Sequence, residues 1–294
     1  MPTNTNDNNP KTFKSGFISI IGKPNVGKST FLNRVIGEKI AAVSYRPQTT
    51  RNKILGITTT NSYQMIFIDT PGLHTPKNKL GEFMQYQATG GISDGDIILS
   101  FVDSAHPYDP ETTKGILVIN KIDTINKPDI LPLIQQYSAD FPHIFPISAR
   151  TGEGVDELIS YLISILPIGP KFFDEDTLTD QPEKVIASEM IREKCFKLLD
   201  KELPFGIAVE IEKFKTDEKN IIHIDANIFC EKNSHKAIII GKKGATLKEI
   251  GAQARRDIER FLGEKVFLQT WVKVRENWRN SASQLKNFGY INKE

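Results

Sequence analysis

The apolar residues of this chain cluster in short continuous runs, each followed by a polar signature. FISII at 17–21, QMIFI at 64–68, DIILSFV at 96–102, GILVI at 115–119 and HIFPI at 143–147 are too short to be read as helices. Runs of this kind suit strands buried on both faces, in a mostly parallel sheet with helices on both sides. In an open sheet of that type ligands bind at the carboxyl ends of the strands, which is where the polar signatures fall. The stretch EGVDELISYLISI at 153–165 has helical periodicity and closes this first unit.

Residues 166–182, LPIGPKFFDEDTLTDQP, carry three prolines and an acidic patch, the composition of a linker. Beyond it the pattern predicts an amphipathic helix over 183–202, ending before Pro204, and a strand pair at 206–213 and 220–230 around the polar turn KTDEKN. The apolar run 237–240 leads into Gly241-Lys242-Lys243-Gly244, then a long helical pattern, then a strand at 266–274. The first fifteen residues are polar and Asn/Thr-rich, without the apolar core of a signal peptide, and are expected to be disordered. The expected division is a lead at 1–15, a first domain at 16–166, a linker at 167–182 and a second domain with a tail at 183–294.

One connection breaks the pattern. The strands at 96–102 and 115–119 should be parallel neighbours, which calls for a crossover of a dozen or more residues, usually a helix. Only DSAHPYDPETTK joins them, with two prolines and no apolar periodicity. A strand without cover would expose apolar surface, so the expectation is that residues are missing here and that the intact mass exceeds 33.1 kDa.

Composition excludes few classes. With 39% hydrophobic and 25% charged residues the chain is ordinary soluble-globular material, and no run approaches the ~18 apolar residues of a membrane span. Cys195 and Cys230 lie in apolar stretches with no CxxC and are expected as reduced, buried thiols of a cytoplasmic protein. Charge is more informative. Residues 232–294 carry 14 Lys and Arg against 6 Asp and Glu, so a net charge of +2 conceals +8 at the end and −6 before it. A basic end on an acidic body points to a polyanion there.

The candidate chemistry lies at the strand ends. Gly22-Lys-Pro-Asn25-Val26-Gly27-Lys28-Ser29 fits G-x-x-x-x-G-K-[ST] between a strand and a helix. Its backbone N–H groups, with Thr30 opening the helix, cradle phosphates. Lys28 reaches the β- and γ-phosphates, and the Ser29 hydroxyl ligates Mg²⁺. Asp69-Thr-Pro-Gly72 offers a carboxylate to the Mg²⁺ shell and a Gly72 N–H to the γ-phosphate. In Asn120-Lys121-Ile-Asp123 the Asp123 carboxylate accepts from guanine N1–H and N2–H₂, a donor pair adenine lacks. Asn120 reaches the purine edge, the Lys121 stem covers the base, and Ser148-Ala149 offers an N–H to guanine O6. These motifs in this order select GTP and GDP over adenine nucleotides.

With these four motifs in place, the first unit resembles the translation-factor-related small GTPases. SYRPQTTR at 44–51 is similar to their first switch, with Thr49 or Thr50 contacting Mg²⁺ and the γ-phosphate; two adjacent threonines fit equally. Lys28, the switch threonine and Gly72 are the candidate catalytic groups. Leu73 stands where Ras-like enzymes place a water-orienting Gln, so slow intrinsic turnover is expected. Asn25 resembles the residue that holds K⁺ in some relatives.

The second unit runs helix, strand, strand, helix, GKKG, helix, strand, and resembles a type II KH domain, an α+β RNA-binding fold. Lys242 and Lys243 on the Gly241–Gly244 turn, with Arg255, Arg256 and Arg260, are expected to form one basic face. Ile250, Ala254, Ile258 and Phe261 are expected core, as is Trp271. Residues 16–290 as a whole resemble the Era family of bacterial GTPases. That resemblance implies binding of small-subunit ribosomal RNA near its 3′ end, a role in maturing the small ribosomal subunit, and a GTP-favoured, RNA-competent domain arrangement. A monomer is expected. The alternative is a GTPase switch whose basic end docks on a protein partner or, at the inner face of the membrane, on anionic lipid.

Overall fold

Two sheets organise the computed structural model, which describes residues 13–72, 75–108, 110 and 115–290. The first domain runs β1 (Lys14–Ile21), α1 (Lys28–Ile36), β2 (Ile54–Thr59), β3 (Tyr63–Asp69), α2 (Lys79–Ser93), β4 (Ile97–Asp103), β5 (Ile116–Asn120), α3 (Ile130–Tyr137), β6 (Ile144–Pro146) and α4 (Val155–Ile165). Its six strands lie in the order β2-β3-β1-β4-β5-β6, parallel throughout except for antiparallel β2–β3. Ile18, Ile20, Phe31, Phe67, Phe101 and Val118 fill the face under α1 and α4. That burial fixes the carboxyl ends of β1, β3, β4, β5 and β6 along one rim, and GKPNVGKS, DTPG, NKID and Ser148–Ala149 all sit on it.

The second domain runs α5 (Glu183–Leu198), β7 (Ala208–Thr216), β8 (Ile221–Cys230), α6 (Asn233–Ile240), α7 (Ala245–Leu262), β9 (Lys265–Val274) and α8 (Ala282–Asn287). β8 pairs antiparallel with β7 and parallel with β9. Ile250, Ala254 and Ile258 are buried against this sheet as their spacing requires, and Phe261 is partly buried between the two domains' cores. Cys195 and Cys230 are buried free thiols.

Four expectations need correction. Phe13 is buried and Lys14 opens β1 in register with Tyr63, so Lys14 and Ser15 belong to the sheet and Phe13 to the core; residues 1–12 lie outside the described ones. β2, α2 and α3 were not legible in the apolar pattern. Trp271 is 43% exposed: it stands on the face of β9 away from the helices, level with Asn227. The strand expected to lie uncovered is covered, which leaves the expectation of residues missing from this connection standing. Val102, Leu117 and Ile119 are fully buried beneath Tyr137, Phe141 and Tyr108, and Tyr108 comes from the short connection itself. Tyr108 Oη donates to Phe101 O at 2.7 Å and accepts from Lys23 N at 2.9 Å, so an aromatic side chain takes part of a helix's place. No helix occurs among the described residues of that connection. Leu131 remains 72% exposed on the same face.

The proline-rich segment is a strap. Ile57 N donates to Leu178 O, Leu55 N to Asp180, and Gln64 bonds the backbone of Phe172 and Phe173, so it lies along the open edge of β2. The domains also share a core of their own: Leu80, Phe83 and Met84 of α2 pack on Phe229, Trp278, Leu285 and Tyr290.

Candidate nucleotide and nucleic-acid sites

β1 ends at Ile21 and α1 begins at Lys28, so residues 22–27 form the turn between them. Gly27 caps the helix at φ 97°, and a Cβ there would come within 2.2 Å of Asn120 Nδ2. Only glycine combines that conformation with that approach. Lys28 is buried, its Nζ donating to the carbonyls of Gly22 and Lys23 at 2.9 and 3.0 Å. Burial lowers its pKa to about 8, against the attraction of Asp69.

Asp69 closes β3 with no exposed surface. Burial raises its pKa to about 6 in spite of Lys28 and a hydrogen bond from Ser29. Its Oδ2 accepts from Ser29 Oγ at 2.5 Å, while its Oδ1 is buried without a partner. Ser29 Oγ also lies 2.8 Å from Thr50 Oγ1. Buried carboxylate oxygens are seldom left unpaired, and one set beside two hydroxyls suits a hard, oxygen-seeking cation. The described residues hold no group of three or more His, Cys, Asp or Glu that could hold a metal. A Mg²⁺ here therefore fits as an ion completed by phosphate and water, not as one caged by protein.

Thr49 and Thr50 differ. The Thr49 hydroxyl turns back into its own loop, onto Ser44 Oγ at 2.7 Å and Arg46 O at 2.8 Å. Thr50 alone of the two points its hydroxyl at Ser29. Asn25 Nδ2 donates to Tyr45 O at 2.7 Å, joining the phosphate turn to the same loop. A cleft of about 280 Å³ runs between them from Lys28, Ser29, Thr30 and Gly72 to Lys121. Leu73 lies outside the described residues.

Asn120 knots three loops at the guanine end. Its Nδ2 donates to Val26 O at 2.7 Å, and its Oδ1 accepts from Lys121 N at 2.8 Å and Ala149 N at 2.9 Å. Lys121 Nζ is held by Asp103 at 2.7 Å. Asp123 accepts from Ser148 Oγ and from Arg150 Nη2, each at 2.5 Å. Arg150 is 74% exposed, so it is free to leave when a base arrives. From α1, Arg34 donates to the carbonyls of Ala149 and Arg150 and sets the height of that loop. A lone arginine in a helix carried no signal for this role. Arg51, Arg192 and Glu193, which bind the first switch to the second domain, escaped the sequence for the same reason.

In the second domain Gly241 (φ 74°) and Gly244 (φ 79°) turn the chain from α6 into α7. A Cβ at Gly241 would meet Thr246 Oγ1 at 2.2 Å. Lys242 and Lys243 are exposed at the N-terminus of α7, an anion-favouring position. Arg255 and Arg256 are exposed further along α7. Arg260, one turn beyond Arg256, lines the cleft toward the first domain, with Arg34 and Arg150.

A family model described as a 50S ribosome-binding GTPase matches residues 17–135, and a KH-domain model matches residues 202–279. GTPase Era of Ruminiclostridium cellulolyticum is 50% identical over 292 residues, covering 95% of this chain and 98% of the relative. The chain belongs to the Era family of GTPases. GTPase Era of Clostridioides difficile is 49% identical, over 96% of this chain and all of the relative. Aquifex aeolicus Era bound to GDP and AlF₄⁻ superposes with a TM-score of 0.91 at 38% identity, covering 95% of this chain and all of that one. Era in complex with MgGDPNP and nucleotides 1506–1542 of 16S ribosomal RNA superposes at 0.90, with the same identity and coverage. The 292-residue match with the Ruminiclostridium relative covers 95% of 294 residues, about 279, so that relative has about a dozen positions with no counterpart here.

Proposed function

We propose that this Era-family GTPase binds small-subunit ribosomal RNA near its 3′ end through Gly241–Gly244, Arg255 and Arg256, and acts in small-subunit assembly under control of bound GTP. The clustering of the Ser29 and Thr50 hydroxyls with the buried Asp69 carboxylate, one of whose oxygens has no partner, on the rim shared with the guanine loops carries the nucleotide part. The exposed GKKG turn supports the RNA part, together with the RNA held by the superposable Era complex.

In this reading Thr50 is the switch threonine. Lys28 gives up its bonds to the Gly22 and Lys23 carbonyls for the β- and γ-phosphates, and its proton is retained by their charge. Ser29, Thr50 and Asp69 would hold a Mg²⁺, which would supply positive charge against the negative charge that builds as the γ-phosphoryl leaves. The Gly72 N–H meets the γ-phosphate, so this loop distinguishes GTP from GDP. Asp123, Asn120, Lys121, Ser148 and Ala149 fix the base. Asn25, already joined to Tyr45, supplies an oxygen for K⁺ beside the phosphates, so turnover is faster in K⁺ than in Na⁺.

RNA affinity at fixed salt, measured with a non-hydrolysable GTP analogue and with GDP, tests the coupling; a 3′-end oligonucleotide is compared with a scrambled one because salt alone mimics binding. Tighter binding of the true sequence with the analogue is the expected result. Equal binding of both RNAs in either state reduces the second domain to a charge dock. Preference for anionic vesicles over RNA favours a membrane address; among the described residues no helix is long and apolar enough to cross a membrane.

A further inference from the structure

Two consecutive residues of α5, in the RNA-binding domain, grip the first switch of the GTPase domain at both ends. Arg192 is 1% exposed and Glu193 is fully buried. Arg192 Nη2 donates to the carbonyl oxygen of Thr49, and the guanidinium is oriented by Glu189, to which Nε donates at 2.8 Å. Glu193 Oε2 accepts from Val43 N at 3.0 Å, and its Oε1 accepts from Lys39 Nζ at 2.8 Å and from Lys197 Nζ. Burial would raise the Glu193 pKa, but Lys39, Lys197 and the Val43 N–H together hold it below the ordinary range.

Stability alone does not account for this arrangement. Desolvating an arginine and a glutamate costs as much as or more than their pairing returns, and the domains already share the apolar core between α2 and the tail. What the charged pair adds is direction: both groups aim at backbone atoms of the segment that carries Thr50. Holding the Thr49 carbonyl fixes the peptide plane between Thr49 and Thr50. That plane sets where Thr50 Oγ1 stands, 2.8 Å from Ser29 Oγ.

We infer that Arg192 is a positioning residue for GTP hydrolysis, supplied by the RNA-binding domain: with Glu193 it holds the first switch so that Thr50 stays at the metal site. The inference rests on Thr50 being the switch threonine. Because binding couplings are reciprocal, a change of α5 position on RNA binding alters Mg²⁺ and GTP affinity, and GTP with Mg²⁺ strengthens the α5 contact in return.

The test compares Arg192→Met, Thr50→Ala and the double variant in the full chain, reading turnover against Mg²⁺ concentration, with GDP affinity as the check on folding. Arg192→Met should lower kcat and raise the Mg²⁺ midpoint by about tenfold, the scale of couplings carried between sites, and leave GDP affinity within about twofold. In the Thr50→Ala background it should change nothing further, a non-additivity that a packing role does not produce. If Arg192→Met does not fold, Lys39→Gln, at the 31%-exposed end of the same grip, should show the same pattern at about threefold. Full additivity in the double variant, or silent Arg192 and Lys39 variants beside an impaired Thr50→Ala, overturns the positioning role alone. An unimpaired Thr50→Ala overturns the threonine assignment, and the positioning role falls with it.

Discussion

Asp69 gives one carboxylate oxygen to Ser29 Oγ at 2.5 Å and leaves the other buried and unpaired. Burial raises the carboxyl to about pH 6, and the metal requires its charged form. Mg²⁺ affinity is therefore full above pH 6 and declines by up to about tenfold per pH unit below it. Mg²⁺ titrations of nucleotide binding from pH 5 to pH 7.5 should show this break, and Asp69→Asn should remove both the break and most of the Mg²⁺ dependence.

Lys28 has the opposite sign. In the free protein it loses its proton near pH 8, because burial outweighs the attraction of Asp69. Phosphate charge restores the proton on binding, so the Lys28 contribution to affinity is constant below about pH 8 and falls by up to about tenfold per unit above it. Lys28→Met, which keeps only the titration of the base itself, should bind far more weakly and without this added decline.

Arg150 donates to Asp123, the carboxylate proposed to discriminate against adenine, and would compete with guanine for it. Truncating Asp123 to Ala should cost at least about 100-fold in GTP affinity and most of the preference over ATP, since the donor pair of guanine then goes unmet. Arg150→Ala should act in the other direction, tightening GDP by no more than about fivefold, the value of an exposed ion pair. Competition binding with GDP, GTP and ATP resolves both.

Tyr108 is a local solution to a missing helix. Tyr108→Ala uncovers Val102, Leu117 and Ile119 and should lower stability by about 3 kcal/mol, as removal of a large aromatic does. Tyr108→Phe keeps the cover but removes the hydroxyl from Lys23 N and Phe101 O, costing about 1 kcal/mol and loosening the phosphate turn. Denaturant melts separate the two effects. GDP affinity should change only with the state of the turn.

Much of the candidate site could be read without coordinates because its residues act through local order. A glycine-rich turn between strand and helix, an Asp at the next strand end and NKID at a third are each defined within a few residues of sequence. The type II KH order of elements was legible on the same grounds, through hydrophobic period and the glycines around Lys242 and Lys243. Edge strand β2 was missed because its ILGITT run takes part of its cover from the strap at 178–180, some 120 residues away. Trp271 was misassigned because a strand periodicity gives two faces without saying which one the helices cover.

The sequence by itself marked a candidate phosphate turn, a candidate metal-side carboxylate, a candidate guanine loop and a basic second domain, since each depends on residue type at short spacing. Only the tertiary structure distinguishes Thr49 from Thr50, for adjacent threonines are equivalent until the backbone turns one hydroxyl toward Ser29. It also shows that Arg34 ties α1 to the loop at Ala149 and Arg150, and that Arg51, Arg192 and Glu193 tie the segment 43–51 to the second domain. Their partners are carbonyl and amide groups, which every residue possesses, and no pattern of side chains records which backbone atom a distant arginine will reach.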